Sequence, residues 1–235
     1  MKGNCKMESN NRFSKALLGF QFFFIFLSIS SAIAFIGETK QIKIRPWGHN
    51  PVNNVVVIPD KSASYYVFKN VLKSNNNVIS VTGSVQPLGN YSKQLVIKTE
   101  GKEQTVQGIS VLPGFKTQLG IKILKGRDLN DQFKTDKTDA VIINQAFLKQ
   151  MNWVTGIDKN IEYENHIYKV VGEVNNFYFE NFIVPVGPIV MMGCKPADVR
   201  FVYVKTTPGL FLNVHVNIKK TWKKVNANLP FEYYY

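Results

Sequence analysis

The sequence predicts an α+β protein: one N-terminal transmembrane helix, then an exported domain of two subdomains. Three observations carry this. The 21 residues Ala16–Ile36 contain no Asp, Glu, Lys or Arg. Beyond them, short stretches of period-two alternation mix with amphipathic helical stretches, without a strict strand–helix–strand rhythm. Of 235 residues, 45% are hydrophobic and 19% are charged. That composition supports a buried core and excludes a disordered chain. Ten prolines and 16 glycines show no period, which excludes collagen-like rods. Two cysteines are too few for a disulfide scaffold or a multi-cysteine zinc site.

At ~1.5 Å per residue, Ala16–Ile36 spans about 32 Å as a helix, close to the thickness of a hydrocarbon core. Lys2, Lys6, Arg12 and Lys15 precede it, opposed only by Glu8. The positive-inside rule then keeps residues 1–15 in the cytoplasm and exports the chain from Gly37 onward. Gln21 and the serines can hydrogen-bond within the helix or to a neighbouring helix. A cleaved signal peptide is the alternative, because Ala32-Ile33-Ala34 resembles its cleavage site. The apolar run exceeds the roughly 7–15 residues usual for such a peptide, which favours a retained anchor. On either reading residues 37–235 leave the cytoplasm, and with the anchor retained Cys5 and Cys194 lie on opposite sides of the membrane and cannot pair. Cys194 is expected to be a free, partly buried thiol.

In the exported part, Asn53–Ile58 reads as a short buried strand. Ser62 is placed to cap a helix running to Lys73, with Tyr65, Phe68 and Leu72 on one face. Asn75–Asn77 ends it. Strands follow at Val78–Val85, Gln94–Thr99 and Thr105–Val111, with a tight turn at Glu100-Gly101-Lys102. Pro113–Leu119 reads as a helical turn, and Ile121 and Ile123 as part of a short strand. After the polar stretch Gly126–Asp139, Ala140–Ile143 is a strand and Asn144 caps a helix to Met151. Asn160–Tyr163 and Ile167–Val174 form a hairpin around Glu164-Asn165-His166. Residues 175–185 read as an aromatic loop. Val199–Lys205 alternates as a half-buried strand. Asn213–Asn226 is an amphipathic helix with Val214, Ile218, Trp222 and Val225 inward, stopped by Asn228, Leu229 and Pro230.

The formal charge is +13, from 29 basic and 16 acidic residues. Removing the four basic residues and one acidic residue of the first 36 leaves 25 and 15, a formal +10. These charges are scattered, with no run of five. Lys219, Lys220, Lys223 and Lys224 read as the solvated face of one helix, so no nucleic-acid partner is expected. The chain lacks a phosphate-binding loop, H-E-x-x-H, C-x-x-C and G-x-S-x-G. His49, His166 and His215 have no partner at ligand spacing and read as solvated or satisfied histidines. Gly126-Arg127-Asp128 offers an adhesion tripeptide or a catalytic Arg–Asp pair, but three residues are a very weak signal and a turn closing a strand explains them. Asn90-Tyr91-Ser92 fits a glycosylation sequon, relevant only to a eukaryotic secretory route. No catalytic, cofactor-binding or metal-binding residue emerges, and the chain is not expected to be an enzyme.

Several strings, in order, resemble the MacB-like periplasmic core domain of FtsX-like ABC-transporter permeases of the Bacteroidota type. Gly19-Phe20-Gln21-Phe22 is similar to the start of that family's first transmembrane helix. ISVLPGFKTQLGIKILKGRDL (Ile109–Leu129) resembles its pattern of Phe, then Leu-Gly-Ile, then Gly-Arg-Asp. DAVIINQAFLKQMNW (Asp139–Trp153) resembles its strand–helix unit. YKVVGEVNNFYFENF (Tyr168–Phe182) resembles its strand and aromatic loop. Trp222 and the terminal LPFEYYY resemble the segment leading back to the membrane. Three positions depart from the pattern: Asn152 and Asp158 stand where Gly is usual, and Asn176 where Asp is usual.

The resemblance implies a βαβ-like subdomain (53–112 with 199–230) and an inserted mixed α/β subdomain (113–198). Together with residues 37–52 and 231–235 these make up a periplasmic domain over 37–235, behind a helix at 16–36. It also implies a truncated chain, since further transmembrane helices follow the domain in that family. The implied function is that of a permease-type component or fragment of an ABC transporter in the bacterial inner membrane. Its periplasmic domain would transmit ATPase-driven change to export or to lipoprotein and envelope handling. The implied partners are a cytoplasmic ABC ATPase subunit and a multi-span permease chain. No cofactor is implied. A stand-alone membrane-tethered binding module is the alternative.

Overall fold

A computed structural model describes residues 5–44, 46–58, 65–89, 93–179, 184–209, 216, 218–220, 222–223 and 233–234. The chain divides into two units, Met1–Pro46 and Trp47–Tyr235. The first is helix α1, Cys5–Ile44. Its apolar stretch, Phe13–Thr39, is 27 residues long, so the helix continues past the predicted span at both ends. Forty residues make a rod of about 60 Å. Ser28 and Thr39 turn their hydroxyls back onto the carbonyls of Phe24 and Phe35, at 2.8 and 2.7 Å. Two polar groups of the apolar stretch are thereby satisfied within the helix itself.

The second unit runs β1 (Asn54–Val57), α2 (Tyr65–Lys73), β2 (Val78–Ser84), β3 (Lys93–Thr99), β4 (Lys102–Val111), α3 (Phe115–Gln118) and β5 (Ile123–Gly126). It continues through β6 (Ala140–Asn144), α4 (Gln145–Met151), β7 (Asn160–Tyr163), β8 (His166–Val174), β9 (Ile189–Gly193), β10 (Phe201–Thr206) and β11 (Tyr233–Tyr234). Four strands form an antiparallel sheet in the order β11-β1-β10-β2. Both β1 and β2 run antiparallel to β10, which lies between them. The two are therefore parallel to each other, the arrangement of a split β-α-β unit. Residues 216, 218–220 and 222–223 are helical, which completes a β-α-β-β-α-β order of ferredoxin-like type. One face of this sheet (Val55, Val57, Val202, Val204) packs on Tyr65, Phe68 and Leu72 of α2 and on Ile218 and Trp222.

Everything between β2 and β10 is inserted into that unit, and six of its strands close into a ring. The strand β4 pairs with β3 on one side and β9 on the other. From β9 the pairing continues through β6 and β8 to β7. The circle closes where Lys98 of β3 meets Glu162 of β7. Alternation along each strand sends one set of side chains inward. Leu95, Ile97, Val106, Val141, Ile143, Ile161, Val170, Val190 and Met192 form a core with Phe147 of α4. The opposite set, including Ile109, Val111, Ile142 and Met191, faces Val56 and Tyr203 of the sheet and Phe115 of α3. Between the partners Val141↔Val170 and Ile142↔Gly172 the register shifts, leaving Val171 as an extra residue. This bulge keeps Val174 on the outer set. A Cβ on Gly172 would sit 2.3 Å from the Arg127 carbonyl oxygen, so only glycine fits where β5 runs into the next loop.

The elements follow the sequence reading closely, with four differences. The strand β10 is buried on both faces, not half-buried: Val202, Tyr203 and Val204 are all in the core. It is flanked by strands on both edges, by helices on one face and by the ring on the other. Strands β3 and β4 pair within the ring, whereas the sequence reading groups residues 93–111 with the split unit. Among the described residues they pair with the sheet at Ser84↔Val111 alone. Tyr233–Tyr234 forms a short edge strand against β1 that no pattern announced. The turn after β3 is confined to Glu100 and Gly101, both at positive φ, the two-residue geometry favoured in hairpins. The residues Ser62, Val214, Val225, Lys224, Asn228, Leu229 and Pro230, and the sequon at 90–92, lie outside the described residues.

Asn152 and Asp158 have φ of 55° and 66°. Both occupy the left-handed region where glycine is the default, and Asn and Asp tolerate it best among other residues. The backbone thus accounts for these two departures from the family pattern.

The indole of Trp222 is buried and meets the ring of Phe68 edge-on at 5.8 Å. Truncation to alanine leaves a cavity between α2 and the sheet. Trp222→Ala should therefore cost about 3–5 kcal/mol, read as a lower urea midpoint for residues 37–235. Coincident midpoints for variant and parent would contradict this placement.

Candidate functional site

The residues that sequence reading singled out do not converge. His166 Nε2 lies 2.9 Å from Asp139 Oδ1, with both side chains about half exposed (49% and 43%). Its ring meets Tyr168 at 4.8 Å. This is a surface pair between the start of β8 and the residue before β6, a partnership hidden by the sequence distance. His215 lies outside the described residues, as does the side chain of Cys5. Cys194 is buried against the helical face of the sheet. Burial, with a smaller contribution from Asp198, pushes its thiol up to about 12. It is held as a small apolar group and not as a nucleophile. Among the described residues no group of three or more His, Cys, Asp or Glu is placed to hold a metal ion.

Arg127 and Asp128 do not pair through their side chains: Arg127 Nη1 donates to the Asp128 backbone carbonyl at 3.1 Å. Its guanidinium grips Asp136 through both nitrogens, Nη1 to Oδ2 and Nη2 to Oδ1 at 2.8 Å. The Asp136 carboxylate is fully buried and also accepts from the Asn130 amide at 2.9 Å. Phe133 stacks over the guanidinium at 4.4 Å. A buried carboxylate needs this satisfaction, so the pair closes the loop Gly126–Asp139 on itself. Asp128 instead caps Leu129 and receives Thr117 Oγ1. Sequence distance gave no sign of the Arg127–Asp136 partnership.

The most constrained surface feature is where the chain enters the second unit. Residues 47–50 lie as a strap across the loop 175–178. Tyr178 donates its backbone N–H to the Trp47 carbonyl at 2.9 Å, and Asn175 Nδ2 donates to the Gly48 carbonyl at 2.9 Å. The Asn50 N–H reaches the Leu119 carbonyl at 2.6 Å. Gly48 has φ +75°, and a Cβ there would fall 2.2 Å from the Asn176 carbonyl oxygen and 2.6 Å from Phe177 Cα. Only glycine allows backbone to lie this close on backbone. His49 sits between Trp47 and Phe177, with ring centroids at 5.7 and 6.3 Å. Below the strap, Asn54 is buried and accepts from Gln118 Nε2 at 3.0 Å, while Gln118 Oε1 receives Ser80 at 2.8 Å. This polar chain fixes the start of β1 to α3 and β2. Amide hydrogen bonds and aromatic contacts of this kind hold a segment in place.

His49 carries the strap's one titratable group. Its Nδ1 is buried without a hydrogen-bond partner. Burial pushes its pKa down to about 4, and the Trp47 carbonyl opposes that shift only in part. The folded state therefore prefers neutral His49, while the unfolded chain binds the proton near pH 6.5. The stability this contributes is complete above about pH 6.5 and is lost as pH falls towards 4. The urea midpoint of residues 37–235 should drop through that window, and His49→Phe should flatten the drop. Parallel pH profiles for the two proteins would contradict the assignment.

Comparison by sequence finds no matching protein-family model and no matching curated protein. Comparison by structure finds several similar folds. The periplasmic region of MacB from Actinobacillus actinomycetemcomitans superposes with a TM-score of 0.61 at 12% identity, over 83% of this chain and 93% of that one. The extracellular domain of the ABC-type transporter YknZ from Gram-positive bacteria gives 0.58 at 12% identity, over 77% and 98%. A domain of a protein named as a permease from Porphyromonas gingivalis gives 0.55 at 13% identity, over 77% and 87%. The split β-α-β sheet with its inserted strand ring is therefore the fold of the MacB periplasmic domain, preceded here by one apolar helix.

Proposed function

We propose that this chain is a permease-type component of an ABC transporter, anchored in the bacterial inner membrane by α1 with its bulk in the periplasm. The observation that supports this most is the fold: the three structures above are domains of MacB, of YknZ and of a protein named as a permease. The apolar helix ahead of the domain fits the same arrangement. In this reading residues 1–15 are cytoplasmic, and residues 37–235 form a periplasmic domain of two parts, with the division after β2. The domain passes conformational change driven by a cytoplasmic ATPase to export or to lipoprotein and envelope handling. The chain itself is not a catalyst. Its partners are an ABC ATPase subunit and a multi-span permease chain.

The test is affinity purification of the tagged full chain from native membranes. Co-purification of an ATPase with a phosphate-binding loop and of a multi-span permease is the expected result. Recovery of the chain alone would overturn the transporter assignment in favour of a stand-alone tethered module.

A further inference from the structure

The loop that receives the strap also holds the first turn of α4. Asn176 Oδ1 accepts the Ala146 N–H at 2.8 Å, and Gln145 Oε1 lies 3.4 Å from the Asn176 amide. On the other side of that turn, Asn144 Oδ1 accepts both the Phe147 N–H at 3.0 Å and the Ile189 N–H at 2.9 Å. Its Nδ2 donates to Gly187 at 2.9 Å. Phe147 is fully buried in the ring core. One step back along the loop, Asn175 takes the Lys122 N–H at 2.7 Å and returns its own N–H to the Lys122 carbonyl at 3.1 Å. A continuous set of short contacts thus runs from Gly48 through Asn175–Phe177 to Ala146 and Phe147. Asn175 and Asn144 are bonded through both side-chain polar atoms, and Asn176 through Oδ1 and its backbone N–H, so a shift at one link is passed to the next.

From this geometry we propose that the strap Trp47–Asn50 and the first turn of α4 are coupled through the loop Asn175–Tyr178. The docking of the strap then sets the position of α4 in the ring. Pro46 is the last residue of the first unit and Trp47 the first residue of the second. Displacement arriving along the chain from α1 therefore meets this joint before it meets any strand of the sheet. The coupling deepens the transporter reading by naming the route through which the ectodomain is moved. Its significance rests on that reading, whereas its existence is measurable in this chain alone.

A connected path is not by itself proof of coupling, and reciprocal perturbation supplies that proof. The experiment is amide hydrogen exchange on the full chain in lipid nanodiscs. Gly48→Ala forces the strap off the loop without touching α4. It should raise exchange at Asn50 and Tyr178, and should raise it at Ala146 by about fivefold or more, the lower end of ordinary coupling between sites. Conversely, Asn176→Ala should raise exchange at Tyr178 and Asn50. His49→Ala, which empties the space between Trp47 and Phe177, is a milder second strap variant should Gly48→Ala not fold. Faster exchange at Asn50 and Tyr178 with Ala146 unchanged would overturn the proposal. A uniform rise that includes Val141 and Val190 in the ring core would equally overturn it, since the strap would then be a general stabiliser and not a joint. Neither failure would bear on whether an ATPase co-purifies.

Discussion

The apolar layer around Tyr203, shared by the split sheet and the strand ring, is the contact on which the rest of the ectodomain depends. Tyr203 meets Phe115 edge-on at 5.0 Å, and its hydroxyl accepts the buried Leu88 amide at 2.8 Å. Val56, Ile109, Ile142, Ile189 and Met191 fill the space around it. A four-stranded sheet with helices on one face leaves its other face bare, and a strand ring filled by its own core still presents an apolar outer wall. Each solves the other's problem. Burial of both faces explains why β1 is Asn-Val-Val-Val with every residue buried, and why β10 carries Val, Tyr and Val in succession. It also explains why an insertion of more than a hundred residues does not loosen the host unit.

Local signals made most elements legible in the sequence. The Asn144 cap, the α2 face of Tyr65, Phe68 and Leu72, the Ile218–Trp222 spacing and both hairpin turns could be read from periodicity and turn chemistry alone. The grouping of strands could not. Nothing local in Lys93–Val111 shows that its hairpin closes a ring with β9 and β7, because that choice is made by partners about 60 to 90 residues away. The double burial of β10 was obscured in the same way: Tyr203 and Lys205 beside the valines imitate a half-exposed strand, yet Tyr203 points into the shared layer and Lys205 stretches to the Gln118 carbonyl. The strap was also hidden. His49 reads as a solvated or satisfied histidine but its Nδ1 is buried and unpaired, and the need for glycine at position 48 arises only because the backbone of residues 176 and 177 lies against it.

The buried polar groups are spent on holding loops: Asp136 on Arg127, Glu173 on Thr155 and Gly156, and Asn144 on the joint between β6, α4 and β9. Each fixes a connection between elements: the loop after β5, the loop between α4 and β7, and the junction of β6 with α4. The fold held together in this way is the one shared with the periplasmic region of MacB and the extracellular domain of YknZ.

The central claim is that sheet and ring form one cooperative body through the Tyr203 layer. Tryptophans sit conveniently in each part, Trp222 in the helical layer of the sheet and Trp153 against the ring core. Fluorotryptophan labelling of residues 37–235, followed by fluorine NMR through a urea titration, reports both sites in one sample. Loss of the native Trp153 and Trp222 resonances at the same urea concentration is the predicted result, as expected for all-or-none unfolding. Separate midpoints, with one resonance still native after the other has converted, would contradict it.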